Sequence, residues 1–421
     1  MLTPPPHTLA MQRPTSLLRT LLALNQTVVT GFEFTDEALV IDVKPTWRKP
    51  RCSECLTPGP KEGGRTRTWR HLDLGGIKCE LRYRIRRVKC PRCGVITEAV
   101  PWAEAGVWFT KPFEQHTTYL AKVTDKTTVT KLMRVSWVTV GNIVQRVVRR
   151  LRGDVDRLEG LGIIGVDELS YRRHHQYVTV VVDHARGVVV WAAEGKDAAT
   201  LNQFFIALGP ERCAKLEAVT IDMSAAYIKA VTEATPEAQI IFDRFHVQRK
   251  AHEALDEVRR EEVREAEPED KKPLKKTRWP LHKRPWNLSE SEERKIAEVQ
   301  RTNKRLYRAY LLKETLAWIL DLPSVELASE KLDEWLAWAS RSRLAPFVKL
   351  ARTIRKYRDG ILEYVRYRLN NGRTEGLNGK IRVITRRAFG FHSAQSLISM
   401  IFLCCGGIHV YPAHIYPFWT H

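Results

Sequence analysis

Three carboxylates and four thiols are the places where this sequence could do chemistry. Asp167 ends the apolar run GIIGVD, Asp222 ends EAVTID, and Glu375 follows a turn signal at the start of a helical pattern in NNGRTEGLNGKIRVITRRAFG. Two acids at the ends of buried strands and a third on a helix can converge on one point. Clustered carboxylates repel, so such a site is stable in its ionised form only when cations neutralise it. Two hard metal ions held that way serve in-line displacement at phosphorus. Asp also ends strands for the simpler reason that it starts turns, so the surrounding elements must decide.

The thiols fall into two knuckles, RCSEC with Cys52 and Cys55 and KCPRCG with Cys90 and Cys93. Two residues between cysteines let one tight turn offer both sulfurs to a tetrahedral ion. Two such turns make a four-thiolate structural Zn²⁺ site, and CPRCG has the turn chemistry of a zinc ribbon. The spacer between knuckles is longer than the common one. Its content, TRTWRHLDLGGIKCELRYRIRRVKC, reads as two strands joined through Leu-Gly-Gly, a hairpin that brings the knuckles together. A redox pair is disfavoured because neither knuckle sits at a strand-to-helix junction. His71 is an alternative ligand, Cys79 reads as a strand residue, and Cys213, Cys404 and Cys405 as core. The strand RIRRVK would carry Arg84, Arg86, Arg87 and Lys89 outward beside the zinc, either to meet phosphates or as a charge-guarded edge.

Composition narrows the partner. The 421 residues carry 69 Lys and Arg against 48 Asp and Glu, a formal charge of +21. A basic excess spread along the whole chain suits a polyphosphate and salt-sensitive binding. The Leu-rich SLLRTLLAL is short and interrupted by Arg19, so neither a membrane span nor a leader is expected, and a cytoplasmic location with free thiols follows.

The next elements must present that charge to a ligand. In KTTVTKLMRVSWVTVGNIVQRVVRRLRG, Leu132, Met133, Val135, Val138, Ile143, Val144 and Val147 keep helical spacing, with one break at Arg134-Val135-Ser136. Ser136 can cap a second helix from Trp137 to about Arg150. Two helices around such a turn match a helix-turn-helix presenting Trp137, Thr139, Asn142, Gln145 and Arg146, or an ordinary helical hairpin.

From Gly162 strands and helices alternate. GIIGVDE, then the hairpin QYVTVVVDHARGVVVWAAEG turning at 183–187, then helix, strand AVTID, helix and strand QIIFD precede a long helix from Arg244. Three strands followed by helix, strand, helix, strand is the order of a ribonuclease H-like sheet, with Asp167 on its first strand and Asp222 on its fourth. The charged, proline-broken EAEPEDKKPLKKTRWPLHKRPWNLSE is expected to be an exposed loop. Helical patterns fill the chain after it as far as Glu375. Beyond, Glu375, Asn378 and Arg382 share one helix face, with Leu377, Ile381 and Ile384 on the opposite, buried one. The expected fold is thus multidomain α+β. It has an N-terminal segment (1–45), a zinc-binding β domain (46–108), a helix-turn-helix (109–155) and an α/β core (160–250 and 361–421) interrupted by an all-helical insertion (251–360).

CPRCG, GVDELS, YVTVVVD, VTIDMSAAYIKAV, IIFDRFHV, TRWPLHKRPWNLSE and NGRTEGLNGKIRVITRRAFGF together span nearly the whole chain. With them the sequence resembles the bacterial insertion-sequence transposases of the ISL-three group. The resemblance implies a zinc finger, a helix-turn-helix and a ribonuclease H-like core whose acidic triad maps onto Asp167, Asp222 and Glu375. It implies Mg²⁺ or Mn²⁺ at the triad and double-stranded DNA, both element ends and target, as substrate. A homodimer pairing two ends on the bacterial nucleoid would follow. Asp243 also ends a strand; the fourth-strand position favours Asp222, which leaves Asp243 and His246 beside the metals or positioning DNA, with Asn378 and Arg382 in the same supporting role. A non-catalytic DNA-binding regulator derived from the same fold is the alternative function, and a nuclease acting on other nucleic acids the third.

Overall fold

Among the described residues, one cluster of buried apolar side chains lies between Leu161 and Val365 and another between Leu22 and Ala103. The computed structural model describes residues 14–153, 155–172, 176–269, 271–369, 371–388 and 390–412, and of 371–375 the backbone alone. One unit runs to Gly153 and takes in the chain from Ile408; the other is Asp154–Gly407. The expected core segment 361–421 is therefore divided at Gly407, and Ile408 belongs with the first unit, where its carbonyl accepts from Lys122 Nζ at 3.1 Å.

The first unit opens with α1 (Pro14–Leu22), β1 (Thr27–Phe34), β2 (Leu39–Pro45), β3 (Lys61–Leu74), β4 (Ile77–Cys90) and β5 (Gly94–Thr97). The sheet order is β1-β2-β4-β3, with β5 on β4. Gly75 and Gly76 both take positive φ, 59° and 82°, which lets Leu74 pair with Ile77 across a two-residue turn. Trp69 and Trp102 meet edge-on at 5.5 Å in the core beneath. Then follow α2 (Lys111–Val123), α3 (Lys126–Met133) and α4 (Trp137–Gly153). Asp125 caps α3, Arg134 ends it in the left-handed region at φ 53°, and Ser136 Oγ accepts from Thr139 N to start α4. Val140, Ile143, Val144, Val147 and Val148 are buried. Leu132 and Val138 share their periodicity but stay 57% and 66% exposed, because the left-handed turn prevents one apolar stripe from running through both helices.

The second unit holds β6 (Ile163–Arg172), β7 (Gln176–Asp183), β8 (Val188–Glu194), α5 (Ala198–Leu208), α6 (Pro210–Cys213), β9 (Ala218–Ile221), α7 (Ala225–Ala234) and β10 (Gln239–Phe242). Its sheet order is β10-β9-β6-β7-β8, parallel across β10, β9 and β6 and antiparallel from β6 to β8. Every residue of β9 is buried, as a parallel strand covered on both faces requires. Gly165 of β6 lies under a hydrogen-bonded pair, His184 Nε2 and Thr220 Oγ1 at 2.8 Å; a Cβ there would come within 2.9 Å of both atoms. Asp167, expected at a strand end, stands within β6: the strand continues to Arg172 because ELSYR goes on pairing with β7 after β9 has stopped.

Helices complete this unit: α8 (Arg244–Glu265), α9 (Lys271–Leu274), α10 (Arg278–His282), α11 (Glu290–Thr302), α12 (Lys304–Ile319), α13 (Val325–Ser340), α14 (Ala345–Lys356), α15 (Arg358–Tyr367), α16 (Asn371–Arg387) and α17 (Ala394–Cys405). The stretch 265–290, expected as an exposed loop, is anchored instead among its described residues. Leu274, Thr277 and Leu281 are buried, and Lys313 Nζ, itself buried, donates to the carbonyls of Leu281 at 2.8 Å and Lys283 at 3.3 Å. Two leucines seven residues apart suffice to seat short helices, each with a proline at its third position, that no long periodicity announces. Among the described residues no helix is long and apolar enough to cross a membrane.

Candidate functional site

Register brings three acids level. Gly165 pairs with Thr220 on β9, and Thr220 with Ile241 on β10. Two residues further along stand Asp167 within β6, Asp222 just past β9 and Asp243 just past β10. Strands lie about 4.8 Å apart, so Asp222 is one strand from Asp167 and Asp243 two. Each acid is fixed locally. Asp222 Oδ1 accepts from Ser224 N at 3.0 Å, Asp243 Oδ1 caps α8 by accepting from Phe245 N at 2.9 Å, and Asp167 Oδ1 accepts from Glu168 N at 2.7 Å.

Burial pushes the Asp167 carboxyl above its usual range; the Glu168 amide and the charge on His246 pull it down, and the Asp243 carboxylate pushes it up again. Glu168 is raised as well, by burial first and then by Asp222, with Lys196 opposing. Tyr227, buried and hydrogen-bonded to Thr179 Oγ1 at 3.0 Å, is raised by burial and by the charges of Glu168, Asp222 and Asp167. Four carboxylates therefore share one field, Asp243 acting on Asp167 and Asp222 on Glu168. Sequence reasoning missed Glu168, Lys196 and Tyr227. The acidic pair Asp167-Glu168 was the available signal, whereas Lys196 and Tyr227 reach the site only through the folded sheet.

A helix distant in sequence closes on this row. Asn378 of α16 donates from Nδ2 to Asp167 Oδ2 at 2.6 Å. Leu377, Ile381 and Ile384 are buried and Arg382 is exposed, the two faces read from the sequence. Glu375 is a residue of α16 whose side chain lies outside the described residues. Asp, Glu and Asn oxygens form a hard donor set that suits Mg²⁺ or Mn²⁺ over softer ions.

The four knuckle cysteines meet in the first unit. Their sulfurs all lie within 4.8 Å of one another, Cys55 and Cys90 at 3.5 Å, and His71 is elsewhere, with Nδ1 2.8 Å from Thr110 Oγ1. Zn–S bonds of about 2.3 Å put tetrahedral sulfurs roughly 3.8 Å apart, so the cluster fits a structural zinc ion. The Thr57 hydroxyl and amide, with Cys90, draw the Cys55 thiol down to about 6, while Cys93 is pushed up to about 12 by its hydrogen bond to Cys55. Cys79, Cys213 and Cys405 are buried, as core cysteines should be.

Of the basic residues singled out beside the zinc, Arg84, Arg87 and Lys89 are exposed. Arg86 is a correction. It makes a two-pronged bond to Glu98, whose side chain is fully buried, and so holds β4 to the segment after β5. Arg146 is a second. Its Nε donates to buried Glu114 of α2 at 2.9 Å, tying α4 to α2. Both bonds depend on acids remote in sequence, which helical or strand spacing cannot reveal. On α4, Asn142 is exposed, Thr139 and Gln145 are half-buried, and Trp137 lies under the Lys126 ammonium at 3.3 Å.

Known proteins carry the same parts. A family model described as a transposase matches residues 164–401, a zinc-finger of transposase IS204/IS1001/IS1096/IS1165 matches 48–93, and a helix-turn-helix domain of transposase family ISL3 matches 98–148. The chain is 39% identical over 428 residues to the transposase for insertion sequence element IS1557 of Mycobacterium tuberculosis, covering 94% of this chain and 96% of that protein. It is 28% identical over 366 residues to the transposase for insertion sequence element IS1001 of Bordetella parapertussis, covering 85% and 89%. Mixed sheet, thiol knuckles and helix pair together define a DNA transposase with its own DNA-binding modules. The chain belongs to transposase family ISL3.

Proposed function

We propose that this transposase is of the DDE type, with a ribonuclease H-like core formed by β6–β10 and α16–α17 and interrupted by the helices α9–α15. Asp167, Asp222 and Glu375 are the triad. The observation that carries this reading is the Asn378–Asp167 hydrogen bond, which ties α16 to the acid row. Glu375 precedes Asn378 by three residues, and helix positions three apart are neighbours on the surface. A pair of Mg²⁺ or Mn²⁺ ions held by these carboxylates would supply Lewis acidity and an activated water.

The protein's own groups bind and orient. Asn378 fixes the rotamer of Asp167, Asp243 caps α8, and His246 and Arg382 offer donors to the DNA backbone. Hydrolysis at the element end would free a 3′-hydroxyl, which would then attack a target phosphodiester and displace the target strand's own 3′-oxygen, left as a free 3′-hydroxyl. The zinc domain and α3–α4 recognise the terminal inverted repeats, with Arg84, Arg87, Trp137, Thr139, Asn142 and Gln145 facing DNA. A homodimer pairs two ends, and the protein works on the nucleoid in the cytoplasm.

Asp167→Asn should reduce strand cleavage at least about a thousandfold while binding of end DNA persists, since it removes a ligand charge and keeps the shape. Cleavage at the wild-type rate in Mg²⁺ would take Asp167 out of the site.

A further inference from the structure

The segment between α8 and α11 carries an oddity. Trp279 on α10 and Trp286 in the 3₁₀ turn Pro285–Asn287 are 69% and 73% exposed, although the backbone that bears them is firmly seated. Pro280 and Leu281 are buried, and Lys313 caps the carbonyls on either side of His282. Arg284 is pinned by Glu314 at 3.3 Å and Asp321 at 3.1 Å. Each indole has a guanidinium over one face of its ring, Arg278 at 5.4 Å from the Trp279 ring centre and Arg284 at 5.2 Å from that of Trp286. Lys271 to Asn287 holds seven Lys and Arg and no acid, and Lys272, Lys275 and Lys276 are exposed.

Holding large aromatic faces in water on a rigid support does nothing for the fold, and burial of either indole would stabilise it. A flat π face flanked by cations is what an unpaired nucleotide requires: the base stacks on the ring and the phosphate meets lysine or arginine. Duplex DNA does not offer it the same contact, because its base faces are covered by their neighbours. We infer that Trp279 and Trp286 form a stacking platform for unpaired nucleotides, with Lys272, Lys275 and Lys276 holding the adjoining phosphates. The inference rests on the DNA-transposase reading and adds a second, single-strand-selective contact in the helical insertion, apart from the zinc domain and the helix-turn-helix.

The test uses the full-length protein and two probes of one sequence, a single-stranded oligonucleotide containing 2-aminopurine and its blunt duplex. The double variant Trp279→Ala/Trp286→Ala should bind the single strand about tenfold more weakly and lose the stacking quench of 2-aminopurine, with duplex affinity unchanged. Trp279→Phe/Trp286→Phe should restore most of both. Single-strand binding and quenching equal to wild type would overturn the platform. So would an equal loss on both probes, or a change in self-association with DNA binding intact, which would make the indoles a contact between copies. A wild-type protein that binds neither probe would fail the transposase reading itself.

Discussion

At the scale of residues, the site is a competition between like charges that the fold forces together. Asp167, Glu168, Asp222 and Asp243 act on one another through a partly buried field, and Asn378 is the neutral donor that holds one of them in place. Sheet order places Asp222 next to Asp167, whereas the carboxylate whose charge raises Asp167 is that of Asp243, opposed by His246. Substitution separates the two. Asp222→Asn should abolish cleavage as completely as Asp167→Asn, while Asp243→Asn should keep a measurable rate. Asn caps a helix as well as Asp does, so the second change removes charge without loosening α8. The reverse ranking in a nicking assay would make Asp243 the second acid. Asp167, Asp222 and Asp243 were legible in the sequence because each follows a short apolar run that reads as a strand, whereas Glu168 was not singled out. Arg86 and Arg146 were not legible: whether an arginine faces solvent or a buried acid depends on Glu98 and Glu114, which arrive by tertiary folding.

At the scale of elements, the strands, the glycine turn and the capped helix pair follow from local rules, and the segment at 265–290 does not. Its helices are too short for periodicity, and their anchor is a lysine ammonium from α12. Beside it two imidazoles are half-buried, His252 of α8 and His282 of α10, with ring centres 4.9 Å apart. Burial holds His252 down to about 4, helped by the charges of Lys313, His282 and Arg284, and burial lowers His282 too. An unfolded histidine accepts its proton near 6.5 whereas folded His252 resists until about 4. The stabilisation is therefore complete above 6.5 and is lost as pH falls through that window. His252→Asn should flatten the acid limb: melting temperature should drop less on going from about pH 7 to about pH 4.5 than in wild type. Equal drops in a thermal melt would show that His252 contributes nothing to the acid sensitivity.

At the scale of the whole molecule, a charge of +21 makes bare copies repel, and a bound polyanion relieves that repulsion. A transposase that joins two element ends should therefore dimerise on DNA more readily than in its absence. Light scattering should give one chain per particle at low concentration without DNA, and two chains with two ends once end DNA is added. A stable complex of one chain on one end, competent for strand transfer, would exclude the paired arrangement. Binding should also weaken steeply with added salt, as phosphate-dominated contacts do.

One packing detail sets a dimension of the candidate site. Gly165 has room for a hydrogen atom and nothing larger, because the His184–Thr220 pair crosses directly above it, and Asp167 within β6 and Asp222 just past β9 stand two residues further along. That glycine works as a gauge: the spacing it allows between β6 and β9 is passed on to the carboxylates of Asp167 and Asp222, and on the proposed reading ions shared between them would need that spacing held to a few tenths of an ångström. A methyl group would have to push the pair aside or wedge the strands apart, and the error would grow toward the acids. Gly165→Ala should therefore leave zinc content and end binding as they are and slow cleavage by about a hundredfold, a catalytic lesion with no catalytic group removed.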